Sequence, residues 1–279
     1  MKRATALAAA VVMAGTSVAQ AAPINLLSHR AQYDVTLAST RPGGVVAMHG
    51  RTVLEFRDAC TGWTTTQRFI SDMSDAKGSD VHSDFIVSST EDKDGKIIRF
   101  KIKNLVNGKT TQRFEGTGTL AAAGGVVRLT SPAGQHFMLP GGTLLPTQHT
   151  LAVLRAAMAG RSGFHETVFQ GGDSSDLYDT ATVIGKPVGK KQHDEDRIAD
   201  TAGLLNGMTA WPTLVSYFPH EGDGERADYE IAYRLYANGV IASMTLIYPN
   251  FTMKADLVKL EKLPAAANCT ATTTASAFP

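Results

Sequence analysis

The stretch that decides the fold is residues 229–248, Tyr-Glu-Ile-Ala-Tyr-Arg-Leu-Tyr-Ala-Asn-Gly-Val-Ile-Ala-Ser-Met-Thr-Leu-Ile-Tyr. Tyr229, Ile231, Tyr233 and Leu235 fall on one side of an extended chain. Ala242, Met244, Leu246 and Tyr248 do the same after Asn238-Gly239. Period-two alternation marks a strand with one buried face. Asn-Gly between two such runs marks a tight hairpin, because both central residues of a type I′ turn need φ > 0.

The same pattern repeats outward from this hairpin. Phe251, Met253, Ala255 and Leu257 alternate with polar neighbours, as do Ile98, Phe100 and Ile102 against Arg99, Lys101 and Lys103. Near the start, Ala31, Tyr33, Val35 and Leu37 oppose Arg30, Gln32, Asp34 and Thr36. Asp94-Gly95, Asn107-Gly108 and, more weakly, Gly124-Gly125 supply further turns. Short turns join antiparallel strands, whereas parallel pairs need long crossovers. The expectation is a mainly β chain: one large, strongly curved antiparallel sheet, a spiral or open barrel, with one principal helix. That helix starts from an N-cap at Thr147. It carries Leu151, Leu154 and Met158 at helical spacing, with Arg155 and Arg161 near its C-terminal dipole and Gly160 to end it. Residues 186–210 break the strand rhythm and read as a long exposed loop with a short helical turn.

Composition removes whole classes of function. The 27 basic and 26 acidic side chains are too evenly balanced for a nucleic-acid binder. A hydrophobic fraction of 43% is too high for a disordered chain. Met1-Lys2-Arg3, the apolar run 4–14 and Ala19-Gln20-Ala21 have the layout of a secretory signal peptide, and the run is too short to span a bilayer. Residues 1–21 are therefore expected to be removed, leaving 22–279 as one β-rich periplasmic domain with a flexible Ala/Thr-rich tail. No later stretch is apolar and long enough to span a membrane. Without Lys2 and Arg3 the basic count falls to 25 against 26 acidic residues. Export also gives meaning to Cys60 and Cys269, the only cysteines, which pair in an oxidising compartment or stay as two buried thiols. A bridge between them closes a loop of roughly 210 residues and stabilises by up to about 5 kcal/mol.

Signatures of chemistry are weak. There is no G-x-S-x-G elbow. His165-Glu166 lacks the second zinc-binding histidine, since position 169 is Phe. Asp92-Lys93-Asp94-Gly95 reads as a hairpin turn rather than a calcium loop. His193-Asp194-Glu195-Asp196 is the densest set of ligand-type side chains, and a solvated loop explains it better than a metal. Gly116-Thr117-Gly118 lies within strand-like sequence and opens no helix. No catalytic residue, metal site or cofactor is expected. The apolar residues around the helix are more suggestive. Met138, Leu144, Leu151, Leu154 and Met158, with Leu139 and Leu145, either pack as ordinary core or line a groove for an acyl chain or peptide.

Several stretches resemble one family. They are Leu27-Ser28-His29-Arg30-Ala31-Gln32-Tyr33-Asp34-Val35, Cys60-Thr61-Gly62-Trp63, Leu177-Tyr178-Asp179-Thr180-Ala181-Thr182-Val183-Ile184-Gly185, Pro212-Thr213-Leu214-Val215-Ser216-Tyr217-Phe218, residues 229–239 and the late Cys269. In this order they resemble the EipB family of periplasmic cell-envelope integrity proteins. The resemblance implies a spiral of antiparallel strands and a disulfide between the positions matched by Cys60 and Cys269. It also implies a non-enzymatic role under envelope stress and partnership with a periplasmic tetratricopeptide-repeat protein. Likeness of such spirals to lipid and lipoprotein carriers makes an acyl-chain carrier the alternative. A hydrolase with an unrecognised site is the third reading.

Overall fold

A computed structural model describes residues 23–41, 44–196, 199–222 and 224–264. In chain order its strands are β1 (His29–Thr40), β2 (Val45–Asp58), β3 (Gly62–Asp75), β4 (Asp80–Asp92), β5 (Ile97–Val106), β6 (Lys109–Ala121), β7 (Gly124–Ser131), β8 (Ala133–Leu139), β9 (Gly163–Phe169), β10 (Leu177–Ile184), β11 (Ala210–Pro219), β12 (Tyr229–Tyr236), β13 (Ile241–Ile247) and β14 (Phe251–Lys262). They form one antiparallel sheet in the order β8-β7-β6-β5-β4-β3-β2-β1-β14-β13-β12-β11-β10-β9. The first strand therefore lies mid-sheet beside the last, and β8 and β9 are the two edges. The mainly β, curved antiparallel, barrel-like architecture read from the alternation is the one observed.

Directly paired residues share a face, so the apolar side of β1 can be followed around the sheet. Ala31 sits opposite Leu54 on one side and Leu260 on the other, and Val35 opposite Ala255. Between the edges, the chain passes through the concave side as helix α1 (Pro146–Met158). Val153, Leu154, Ala156 and Ala157 pack on Ile184, Trp211 and Leu235. Leu145, just before the helix, joins Ile98, Phe100, Val127 and Phe169 in a second cluster. A third cluster holds Ala31, Tyr33, Val35, Tyr236 and Leu205. Gly116 is inward-facing, and a Cβ there would approach the Phe100 ring to 2.8 Å. That glycine leaves space for the Phe100–Phe169 edge-to-face pair.

Four expectations need correction. The helix begins at Pro146 with Leu145 as its N-cap, and Thr147 lies inside the first turn. Proline suits that start, since its missing N–H is not needed there. The end is as read: Gly160 adopts φ 69°, with Gly160 N bonded to Ala157 O and Arg161 N to Ala156 O, a Schellman closure. Of the hairpin turns, only Asn107-Gly108 has both residues at positive φ. In Asn238-Gly239 and Asp94-Gly95 the glycine alone does.

The stretch 186–210 is not an exposed loop throughout. It contains α2 (Lys190–Asp196), and Leu205 is buried at 1% exposure. Asp200 accepts the amides of Leu204 and Leu205, which fixes the turn that carries Leu205 inward. Asp196 is not a solvated loop residue. It is buried and forms a two-pronged ion pair with Arg234 of β12. Tyr236 Oη also donates to it at 3.0 Å.

Candidate functional site

The concave side contains a largely apolar cavity of about 170 Å³ under the first turn of α1. Pro146, Thr147 and Thr150 close it from the helix, Leu54 and Phe56 from β2, and Leu26, Asn238 and Ile241 from the opposite wall. An engineered cavity of about 150 Å³ holds one benzene, so this space suits a small group rather than a whole acyl chain. Leu26 belongs to an N-terminal strap held by the bond from Leu27 N to Asn238 O at 2.8 Å. Gly239, at φ 84°, sits against Leu26: a Cβ there would come within 2.7 Å of Leu26 Cδ2. Asn238 also donates to Leu204 O and accepts from Val240 N. One hairpin turn thus holds the strap, the inner loop and the cavity wall together.

Two titratable side chains are buried in this region. Glu91, at the end of β4, is 2% exposed. Its carboxylate accepts from the Thr147 amide at 3.0 Å and from Thr147 Oγ1 at 2.7 Å. It therefore caps a helix whose own N-cap residue, Leu145, has no side-chain oxygen. Burial raises its pKa to about 7, with the Thr147 bonds opposing and Asp92 adding to the rise. His29 lines the cavity, and its Nδ1 is 2.7 Å from the Leu27 carbonyl. A carbonyl only accepts, so Nδ1 carries the proton and Nε2 has the lone pair. Burial lowers the His29 pKa, and the Leu27 bond partly offsets this. Its Nε2 is buried without a hydrogen-bond partner. Further along α1, burial lowers His149 to about 4.

A wider surface pocket of about 590 Å³ adjoins the cavity across Leu26 and Asn238. Cys60 lines it beside Asp58, Lys93, Lys262 and Leu263. Cys60 occupies the β2–β3 turn at φ 65°, with its amide bonded to Asp58 Oδ1. Lys93 Nζ pairs with Asp58 at 2.7 Å and lies over the Trp63 ring at 4.4 Å. Cys269, residues 1–22 and the tail from 265 onward lie outside the described residues.

The five residues singled out for a groove are not brought together. Leu151 and Leu154 are core residues at 5% and 0% exposure. Leu144 forms a parallel bridge to Val168 at the β9 edge. Met138 is exposed on the outer side of β8, and Met158 is exposed in the last turn of α1. Among the described residues, no group of three or more metal-ligating side chains converges, and no helix is long and apolar enough to cross a membrane. Sequence reasoning missed His29, Glu91 and the Asp196–Arg234 pair. His29 had a usable signal: it continues the buried parity of Ala31, Tyr33 and Val35. Glu91 shares a face with its register partners Trp63 and Ile98, which only the pairing reveals.

Comparison with known proteins gives a consistent answer. The EipB-like family model matches residues 20–264. The chain is 32% identical over 247 residues to the cell envelope integrity protein EipB of Brucella abortus (strain 2308), covering 86% of each chain. It is also similar to the crystal structure of a beta-barrel-like protein from Brucella abortus assigned to a domain of unknown function. There the TM-score is 0.79 at 30% identity, covering 87% of this chain and all of the other.

Proposed function

The chain belongs to the EipB-like family, and we infer that it serves cell-envelope integrity by binding rather than by turnover. The observation that carries this reading is the likeness to an envelope-integrity protein along nearly the whole sheet. The concave side agrees with it: α1, the strap and the Leu205 turn occupy that side, which leaves outer surfaces for partners. Residues 1–21 direct export, and the mature protein works in the periplasm. Its partner there is a protein, with a periplasmic tetratricopeptide-repeat protein the first to test. Deleting the gene and challenging cells with detergents and cell-wall antibiotics is the deciding experiment. Sensitisation, restored by the wild-type gene, is expected; unchanged survival under every envelope stress rejects the role.

Cys60 and Cys269 form a disulfide in this reading. Leu263 and Cys60 line the same pocket, and Leu263 N bonds to Ser28 O while Ser28 Oγ accepts from Asp58 N. The six residues from Leu263 to Cys269 reach up to about 20 Å when extended, ample to return to Cys60.

The second reading, a carrier of lipid or lipoprotein acyl chains, is favoured by the apolar cavity beneath α1. The cavity takes a chain end as it stands, and a full chain requires α1 to move outward. Native mass spectrometry of freshly purified protein and uptake of a fluorescent fatty acid test it. Neither co-purified lipid nor uptake would remove it.

A further inference from the structure

The outer face of β5–β8 carries a charge distribution that the role above does not use. Arg99, Lys101 and Lys103 alternate along β5 with the buried Ile98 and Phe100, so all three point outward and are exposed. The register sets Lys103 directly opposite Arg113, and Arg128 is exposed on β7. Like charges facing each other across a strand pair are destabilising. Within this face a single acid offsets them: Glu115 is bonded by Arg113 at 2.7 Å and lies 3.3 Å from Lys101. A chain with nearly equal acidic and basic counts has therefore gathered an excess of cations onto three adjacent strands, a width of about 10 Å.

We propose that this convex face is a docking surface for an anionic lipid bilayer, with Arg99, Lys101, Lys103, Arg113 and Arg128 turned toward the headgroups. Charge complementarity selects an anionic partner. The rest of the face selects a bilayer over an acidic protein. Between the cations lie the short hydroxyl side chains of Thr90, Thr117 and Thr130. The large exposed apolar side chain of these strands is Met138, 69% exposed on the edge strand. A protein interface is built around a central aromatic or aliphatic anchor. A headgroup layer needs spread cations and an apolar tip at the rim. This inference is independent of the protein partner and of the cavity.

Flotation of the oxidised mature protein, residues 22–279, with vesicles tests it, using phosphatidylcholine alone or mixed with phosphatidylglycerol. The protein is expected on the phosphatidylglycerol vesicles only, and to be released as salt shortens the range of the attraction. Lys103→Gln weakens binding about fivefold, and Arg99→Gln, Lys103→Gln and Arg128→Gln together about a hundredfold, as expected for additive single-cation contributions. Arg51→Gln, Lys254→Gln and Lys259→Gln together change the net charge equally on β2 and β14, and should leave binding unchanged. Equal binding to both vesicle types, or equal loss in the two triple variants, overturns the proposal. So does retention on immobilised polyglutamate without vesicle binding, which would assign the face to an acidic protein. All six substituted positions are exposed, and an unchanged melting temperature confirms that each variant is folded.

Discussion

Replacing Glu91 with glutamine tests whether a remote carboxylate caps α1 from inside the sheet. Burial moves its pKa from the ordinary 4.5 to about 7. The folded protein thus holds a proton on Glu91 between those values, while the unfolded chain has released it. Where the native state binds the extra proton, stability falls as pH rises. Glu91 therefore contributes fully below about pH 4.5 and progressively less until about pH 7. At about 1.4 kcal/mol for each pH unit, the loss is about 3 kcal/mol across the window. The glutamine side chain does not titrate. Its amide also leaves N–H groups in a site that offers donors, a constant cost of about 1–3 kcal/mol. The useful quantity is consequently the stability difference between variant and wild type, measured at pH 4.5 and again at pH 7.5. That difference should shift by about 3 kcal/mol in favour of the variant. Denaturant titration followed by the fluorescence of Trp63 and Trp211, both 7% exposed, reads it directly. Other titrating groups, including Asp176 with its pKa raised by burial to about 6, cancel in the comparison. A difference independent of pH would refute the buried-carboxylate account.

Other substitutions probe separate joints of the fold. Cys60→Ser and Cys269→Ser should each lower the melting temperature of oxidised protein by an amount equivalent to at most about 5 kcal/mol, and excess reductant should abolish the difference; identical melting of oxidised variant and wild type would show no bridge. Leu154→Ala removes a fully buried side chain from the helix–sheet contact and should cost about 2–5 kcal/mol in denaturant unfolding. Asp196→Asn strips the charge opposing Arg234, whose side chain is 26% exposed. It should cost about 3 kcal/mol, and amide exchange should speed up in α2 before the sheet opens.

The sheet was legible because its signal is local. Alternation within 229–248 and 251–257, with a turn residue between runs, specifies strands without knowledge of distant partners. The site was much less legible because it is assembled across strands far apart in the chain. Glu91 meets Thr147, and Asp196 meets Arg234, with no local pattern to announce either pair. Met138 and Leu139 are adjacent in sequence yet face opposite sides of β8, so their shared apolar character misleads about a common groove. Helical spacing correctly grouped Leu151 with Leu154 but could not say what they pack against. Residues 199–209 misled in the opposite direction. Their small and polar composition looks solvated, yet Asp200 folds them into a turn that delivers Leu205 to the core.

The position of β1 sets the order in which this protein is completed. His29 pairs with Lys262, and that contact closes only after every other strand has been made. As the exported chain emerges N-terminus first, β1 to β8 form successive hairpins that zip locally. One side of β1 stays unpaired throughout. It offers its backbone donors and acceptors to any extended chain nearby. Long-range closures of this kind fold slowly and leave strands open to wrong pairing. The emerging chain is most vulnerable at a strand that ends up paired on both sides, and any factor that shields it must hold β1 until β14 arrives.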